Sequence, residues 1–141
     1  MSMQLKTLTP QLSVTPQIAL EDLPALAAQG FTTLICNRPD GEQAGQPDHE
    51  TMAAAAQAAG LRYAYLPVVS GQVRPEQGQA FGEVLAQADG PVVAYCRSGT
   101  RSTVLWALSQ AGQQPWPQIV QTAAAAGYDL SQMPVPPAAR G

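Results

Sequence analysis

Histidine occurs once, at position 49, and cysteine twice, at positions 36 and 96, in a chain of 141 residues. Ligands so few and so spaced exclude a zinc site of the usual cysteine and histidine composition, and no metal or other cofactor is expected. Charge is just as sparse. Asp, Glu, Lys and Arg together make up 12% of the residues, about half of the usual share of roughly 25%. Seven basic residues, mostly single and scattered, stand against ten acidic ones for a net charge of -3, which excludes the clustered basic face that nucleic-acid binding needs. No apolar run approaches the length of a membrane span, and Met1 to Pro10 lack the apolar core of a secretion signal. The chain therefore reads as cytoplasmic, where thiols stay reduced.

What is present is a globular composition. Apolar residues reach 45%, enough for the core of one domain over residues 1–141, with a Pro-rich tail from about Met133. Punctuation and periodicity divide the chain into alternating elements. Gln11 to Val14 reads as a short strand. Ala19 to Gln29 has the composition of a helix, with Glu21 and Asp22 in its first turn and Gly30 as its stop. Phe31 to Asn37 is a buried strand, followed by a turn at Arg38-Pro39-Asp40-Gly41. Asp48 caps a helix running to Ala59, and Arg62 to Val69 is the next strand. Glu76 to Ala88 is helical, Pro91 to Cys96 is a continuous apolar strand, and Arg101 to Ala111 and Trp116 to Ala126 are two further helices. Strands that are apolar on both faces and alternate with helices indicate an α/β fold, a mostly parallel sheet with helices on both faces.

In such sheets ligands bind outside the carboxyl ends of the strands. The most informative end here is Cys96-Arg97-Ser98-Gly99-Thr100-Arg101-Ser102. A cysteine leaving a strand and entering a helix through a short loop lies among backbone N–H groups that have no intrahelical partner, at the positive end of the helix dipole. Arg97 and Arg101 add positive charge, so Cys96 is predicted to be a nucleophile. Ser98, Thr100 and Ser102 supply hydroxyl donors, and Gly99 lets the backbone fold tightly around an anion. Around this loop the residues leave alternatives open. Cys36 ends its own strand and is either a buried core thiol or a partner that resolves a persulfide or disulfide at Cys96. Arg38, Asp40 and Glu42 form either an ion-paired wall beside the site or a turn network. His49 reads as an ordinary surface residue, and Trp106 and Trp116 as core residues.

CRSGTRS resembles the active-site loop of rhodanese sulfurtransferases and is also similar to the phosphate loop of tyrosine and dual-specificity phosphatases. Together with ICNRPDGE, YLPV and the LWAL that follows, it makes the chain resemble, from about Leu8 to Leu130, the phosphatase-like domain family of the beta-lactamase-hydrolase-like protein. The resemblance implies a phosphatase-like α/β scaffold, and the family's fusions imply a link to sulfide and persulfide metabolism and to sulfide-oxidation enzymes.

Three departures from the phosphatase pattern bear on the chemistry. Four residues separate Cys96 from Arg101 where phosphatases place five, so Ser102 holds the phosphatase arginine position. Tyr95 replaces the histidine before the cysteine. The loop from Val68 to Arg74 holds no carboxylate to act as general acid, and Asp89 sits at the far end of its strand, roughly 20 Å away at about 3.3 Å per residue. Sulfur transfer needs no such acid, because its leaving group is already a good anion. The expected activity is therefore a rhodanese-type sulfurtransferase. Cys96 would take sulfane sulfur from thiosulfate or a low-molecular-weight persulfide and pass it to an acceptor thiol, with Arg101 and Arg97 holding the anionic donor. A phosphatase acting on a phosphate ester through a Cys96 phosphocysteine, and a non-catalytic anion-binding or thiol redox-sensing module, are the alternatives.

Overall fold

The computed structural model describes residues 4–136; the last part of the Pro-rich tail, 137–141, lies outside the described residues. Five strands, β1 (Lys6–Thr7), β2 (Leu12–Thr15), β3 (Thr33–Cys36), β4 (Arg62–Tyr65) and β5 (Val92–Tyr95), form one sheet in the order β1-β2-β5-β3-β4. The pairs β2–β5, β5–β3 and β3–β4 are parallel, and β1 alone joins antiparallel. Of five α-helices among the described residues, α1 (Leu23–Ala28), α2 (His49–Ala58) and α3 (Pro75–Gln87) connect successive strands, and α4 (Thr100–Gln110) and α5 (Trp116–Ala125) follow β5. This is the expected α/β architecture.

Side-chain alternation along the strands divides the core in two. Ile35, Val92 and Ala94 face α3, α4 and α5, where Phe81, Leu105, Trp106, Trp116 and Ile119 are buried. Leu34, Cys36, Val93 and Tyr95 face α1 and α2, against Leu23, Leu26, Met52 and Ala56. Both tryptophans are thus core residues. Gly78 and Gly82 on α3 admit α4 at close range. A Cβ at Gly78 would lie 2.5 Å from Leu108 Cβ, and one at Gly82 would lie 3.1 Å from Ser109 Cβ.

Three elements differ from the sequence reading, each for a local reason. The first helix is a 3-10 turn at Leu20–Asp22 followed by the six residues of α1. Pro24 has no N–H to donate and is tolerated only in the first turn, so the α-helix begins beside it. β4 stops at Tyr65, although Leu66 and Val68 still donate to the Cys36 and Asn37 carbonyls at 2.8 and 3.0 Å; Pro67 between them has no N–H and ends the regular ladder. As an edge strand, β4 also keeps Arg62 exposed and Tyr63 to Tyr65 half-buried, so it is not apolar on both faces. β1, two residues long, carries no pattern that a sequence reading can detect.

Candidate active site

β5 lies between β2 and β3, so its carboxyl end opens where two strands flank it and α4 begins. Cys96 leaves that end fully buried, and the N–H of Gly99 donates to its Sγ at 3.0 Å. Gly99 caps α4 with φ +93°, in the left-handed region that side chains avoid. Space forbids a larger residue too, because an added Cβ would collide with the hydroxyl of Tyr128 and lie 2.9 Å from its Cζ. That hydroxyl donates to the Ser98 carbonyl at 3.1 Å. Ser98 Oγ donates to Thr100 Oγ1 at 3.1 Å, and both residues are exposed, as is Arg97.

Arg101 extends from the first turn of α4 and is 9% exposed. Its Nη1 donates to Glu42 Oε2 at 2.7 Å and to the Val68 carbonyl at 2.8 Å, and its Nη2 donates to Glu42 Oε1 at 2.9 Å. Three of the five guanidinium hydrogens are thereby used. The Nε–H takes no part in these bonds, and the bond to Glu42, opposed by burial and helped by the nearby Cys96, raises the pKa of Arg101. Arg38, 1% exposed, reaches the same carboxylate through Nε at 2.9 Å and spends its other donors on Gln17 Oε1 and Gln43 Oε1. Hydrogen bonds from Arg101, opposed by some burial and helped by Arg38, hold the Glu42 carboxyl down to about 2. Glu42 is therefore an ionised brace between two arginines. Of the residues in the 38–42 turn, Glu42 lines the cavity over the loop, whereas Arg38 is buried behind it in the turn network. Asp40 belongs to a different group. It accepts from His49 Nδ1 at 2.6 Å, and the imidazole stacks on Tyr65 with ring centres 4.0 Å apart. His49 thus ties the 37–48 loop to β4.

Ser102 points away from the loop's mouth. It is fully buried and donates to Asn37 Oδ1 at 2.9 Å, while Asn37 Nδ2 donates to the Leu66 carbonyl at 2.9 Å. Its hydroxyl locks α4 to the end of β3 and faces no anion. Cys36 is also removed from the site. It shares a face with Tyr95, and one further step of alternation carries Cys96 to the other face of the sheet. Both thiols are free, and Cys36 Sγ donates to the Arg38 carbonyl at 3.3 Å. Burial, partly offset by hydrogen bonding with Tyr95 and the Arg38 backbone, pushes the Cys36 thiol up, and the residue is buried in the core beneath α1 and α2.

A cavity of about 490 Å³ opens over the loop, with Arg97, Ser98, Thr100 and Arg101 on one side and Ser70, Gly71 and Val73 opposite. Glu42 is the one carboxylate on its wall among the described residues. Asp89 is 4.0 Å from Arg62, which begins β4, so it lies at the other end of the sheet. Sequence reasoning passed over Asn37, Gln17 and Tyr128. The first two sit in or beside the strand ends that flank β5, whereas a lone tyrosine after Gly127 carries no local signal. Among the described residues no cluster of three or more His, Cys, Asp or Glu could hold a metal ion, and no helix is long and apolar enough to cross a membrane.

Compared with solved structures, the fold is most informatively set beside a candidate phosphatase from Neisseria meningitidis. The two share 34% identity over 92% of each chain with a TM-score of 0.82. Kinase associated phosphatase, in a form whose catalytic-site cysteine is replaced by serine, superposes with a TM-score of 0.72 at 13% identity, over 89% of this chain and 83% of that one. TpbA of Pseudomonas aeruginosa in complex with phosphotyrosine does so with a TM-score of 0.67 at 18% identity, over 92% and 78%. The last two likenesses are of fold alone. The beta-lactamase hydrolase-like protein of Agrobacterium fabrum is 41% identical over 101 residues, 72% of this chain and 23% of that protein. Its counterpart in Xylella fastidiosa is 32% identical over 132 residues, 92% of this chain and 31% of that protein. The chain thus spans less than a third of the length of these relatives. The model of the beta-lactamase hydrolase-like protein, phosphatase-like domain, matches residues 4–113, a stretch that holds Cys96, Arg101 and their Glu42 brace, and the chain belongs to that family.

Proposed function

We propose that Cys96 is the nucleophile of a thiolate-based transferase and that the group transferred is sulfane sulfur. The observation that carries this reading is the state of the cavity wall. Its one carboxylate among the described residues, Glu42, is ionised and bonded to Arg101 and Arg38, so no carboxylic acid among them stands ready on that wall to protonate a leaving alkoxide. A leaving group that departs as a stable anion needs none. In the first step the Cys96 thiolate attacks the outer sulfur of thiosulfate; an S–S bond forms at Cys96, the donor's S–S bond breaks, and sulfite leaves with the electron pair. An acceptor thiolate then attacks the outer sulfur of the Cys96 persulfide and regenerates the thiolate. The unengaged Nε edge of Arg101 and the exposed Arg97 supply charge for the donor's anionic end. Because Sγ is covered in the resting structure, the 97–100 loop must give way for the donor to reach it.

A second reading, hydrolysis of a phosphate ester through a Cys96 phosphocysteine, is favoured by the relatives. The family is phosphatase-like, the Neisseria protein is described as a candidate phosphatase, and TpbA holds phosphotyrosine. One experiment separates the two. Thiosulfate or glutathione persulfide, without added reductant, should add one sulfur mass to the protein but not to Cys96→Ser. The same preparation should hydrolyse an aryl phosphate no faster than Cys96→Ser. Cys96-dependent aryl phosphate turnover without a sulfur adduct would reverse the order of the readings.

A further inference from the structure

The Ser98–Gly99 peptide is held from both ends. Its carbonyl, Ser98 C=O, accepts from the Tyr128 hydroxyl at 3.1 Å, and its N–H, on Gly99, donates to Cys96 Sγ at 3.0 Å. In a planar trans peptide these two groups point in opposite directions, so fixing the carbonyl toward Tyr128 aims the N–H at the sulfur. Turning the peptide over would direct a carbonyl dipole at the thiolate. Gly99 makes that turn sterically cheap, since glycine populates both signs of φ. Some contact outside the loop must therefore choose the orientation.

We propose that Tyr128 is the positioning residue that makes this choice, acting on the nucleophile through the Ser98–Gly99 peptide. It comes from the segment after α5, beyond residue 113, where the match to the family model ends. The chain of bonds from phenol to carbonyl and from N–H to sulfur also polarises the peptide and strengthens its donation to a negative sulfur. Burial, and after it the charge of Cys96, raise the pKa of Tyr128, so the phenol keeps its proton and remains a donor. Arg101 from α4, braced by Glu42, and Tyr128 both feel the charge of Cys96, and exposed Arg97 is next to it in the chain. Substituting Tyr128 leaves Arg101, Glu42 and their bonds in place.

The inference rests on Cys96 being the nucleophile, whichever group it transfers, and its test avoids turnover altogether. Alkylation of Cys96 by iodoacetamide is followed by mass spectrometry from pH 5 to 9 for the parent chain, for Tyr128→Phe and for a protein with 3-fluorotyrosine, a stronger donor of nearly the same shape, at position 128. Tyr128→Phe should slow alkylation at neutral pH by about three- to tenfold and move the pH midpoint upward, as expected for losing one hydrogen bond felt through a polarised peptide. The fluorinated protein should shift the midpoint the other way. A lost packing contact could mimic the first effect but not the second. Superimposable profiles for the three proteins would overturn the role of Tyr128 alone, whereas a parent chain whose Cys96 resists alkylation throughout would overturn the nucleophile as well.

Discussion

Glu42 and Arg101 are 59 positions apart in the chain and meet as a two-point ion pair. That contact decides which edge of the guanidinium is left unbonded. With Nη1 also bonded to the Val68 carbonyl, the head cannot rotate without losing three bonds, so its Nε edge is presented in a fixed direction. An arginine on the first turn of a helix is otherwise opposed by the helix dipole. The carboxylate offsets that cost.

Glu42 should make the fold acid-sensitive. Its carboxyl titrates at about 2 in the folded chain, against an ordinary value of 4.5. Between those values the unfolded chain takes up the proton first, so the contribution of the pair is complete above pH 4.5 and fades as pH falls toward 2. Glu42→Gln should remove that part of the slope. It should cost about 1–2 kcal/mol at neutral pH, less than the roughly 3–5 kcal/mol of a fully buried pair, because the Glu42 side chain is 24% exposed. Urea unfolding from pH 7 to 2.5 measures both, and parallel stability curves for the two proteins would contradict the assignment.

Gly99→Ala should be far more damaging than alanine at an ordinary glycine. The residue would be strained at φ +93° and would collide with Tyr128, an expected loss of about 1–3 kcal/mol from backbone strain alone. Cys96 alkylation should slow in parallel, because the Gly99 N–H would be displaced from Sγ. Thermal melting and alkylation rates that match the parent would show that the loop tolerates the Cβ.

Cys36→Ser should leave the sulfur adduct at Cys96 intact. The two thiols face opposite sides of the sheet, and Cys36 lies beneath α1 and α2 with Tyr95. A persulfide that forms on the Cys36→Ser protein but is no longer passed to an added thiol would instead make Cys36 part of the transfer route. Intact-mass measurement before and after adding the acceptor distinguishes these outcomes.

Ser102→Ala should destabilise the protein by about 1–2 kcal/mol, the cost of leaving Asn37 Oδ1 buried without its donor. Since Ser102 faces Asn37 and not the cavity, the affinity for a small anion, read as protection of Cys96 from alkylation by sulfate, should stay within about twofold of the parent. A large loss of protection without loss of stability would return the hydroxyl to the anion site.

The order of the elements from β2 onward and the place of Cys96 at a strand end were legible in the amino-acid sequence, because both are local. Asp48 accepts from the Thr51 N–H at 2.8 Å as the cap of α2, Gly99 ends the loop before α4, and the apolar run at Val92–Tyr95 marks a strand buried on both faces. Each of these is set within one or two turns of chain by capping, by permitted φ or by burial. The partners across the site were not legible in the same way. That Glu42 and the Val68 carbonyl meet Arg101, that Ser102 turns to Asn37, that Cys36 packs with Tyr95 beneath α1 and α2 and that Tyr128 holds Ser98 all depend on the sheet order β2-β5-β3-β4 and on which helices cover each face. Sequence alone determined a cysteine-and-arginine loop at a strand's end in a chain poor in charge. Tertiary structure decided which of those few charges reach it, because only the parallel crossovers bring residues 37–42, 96–102 and 128 to one edge of the sheet.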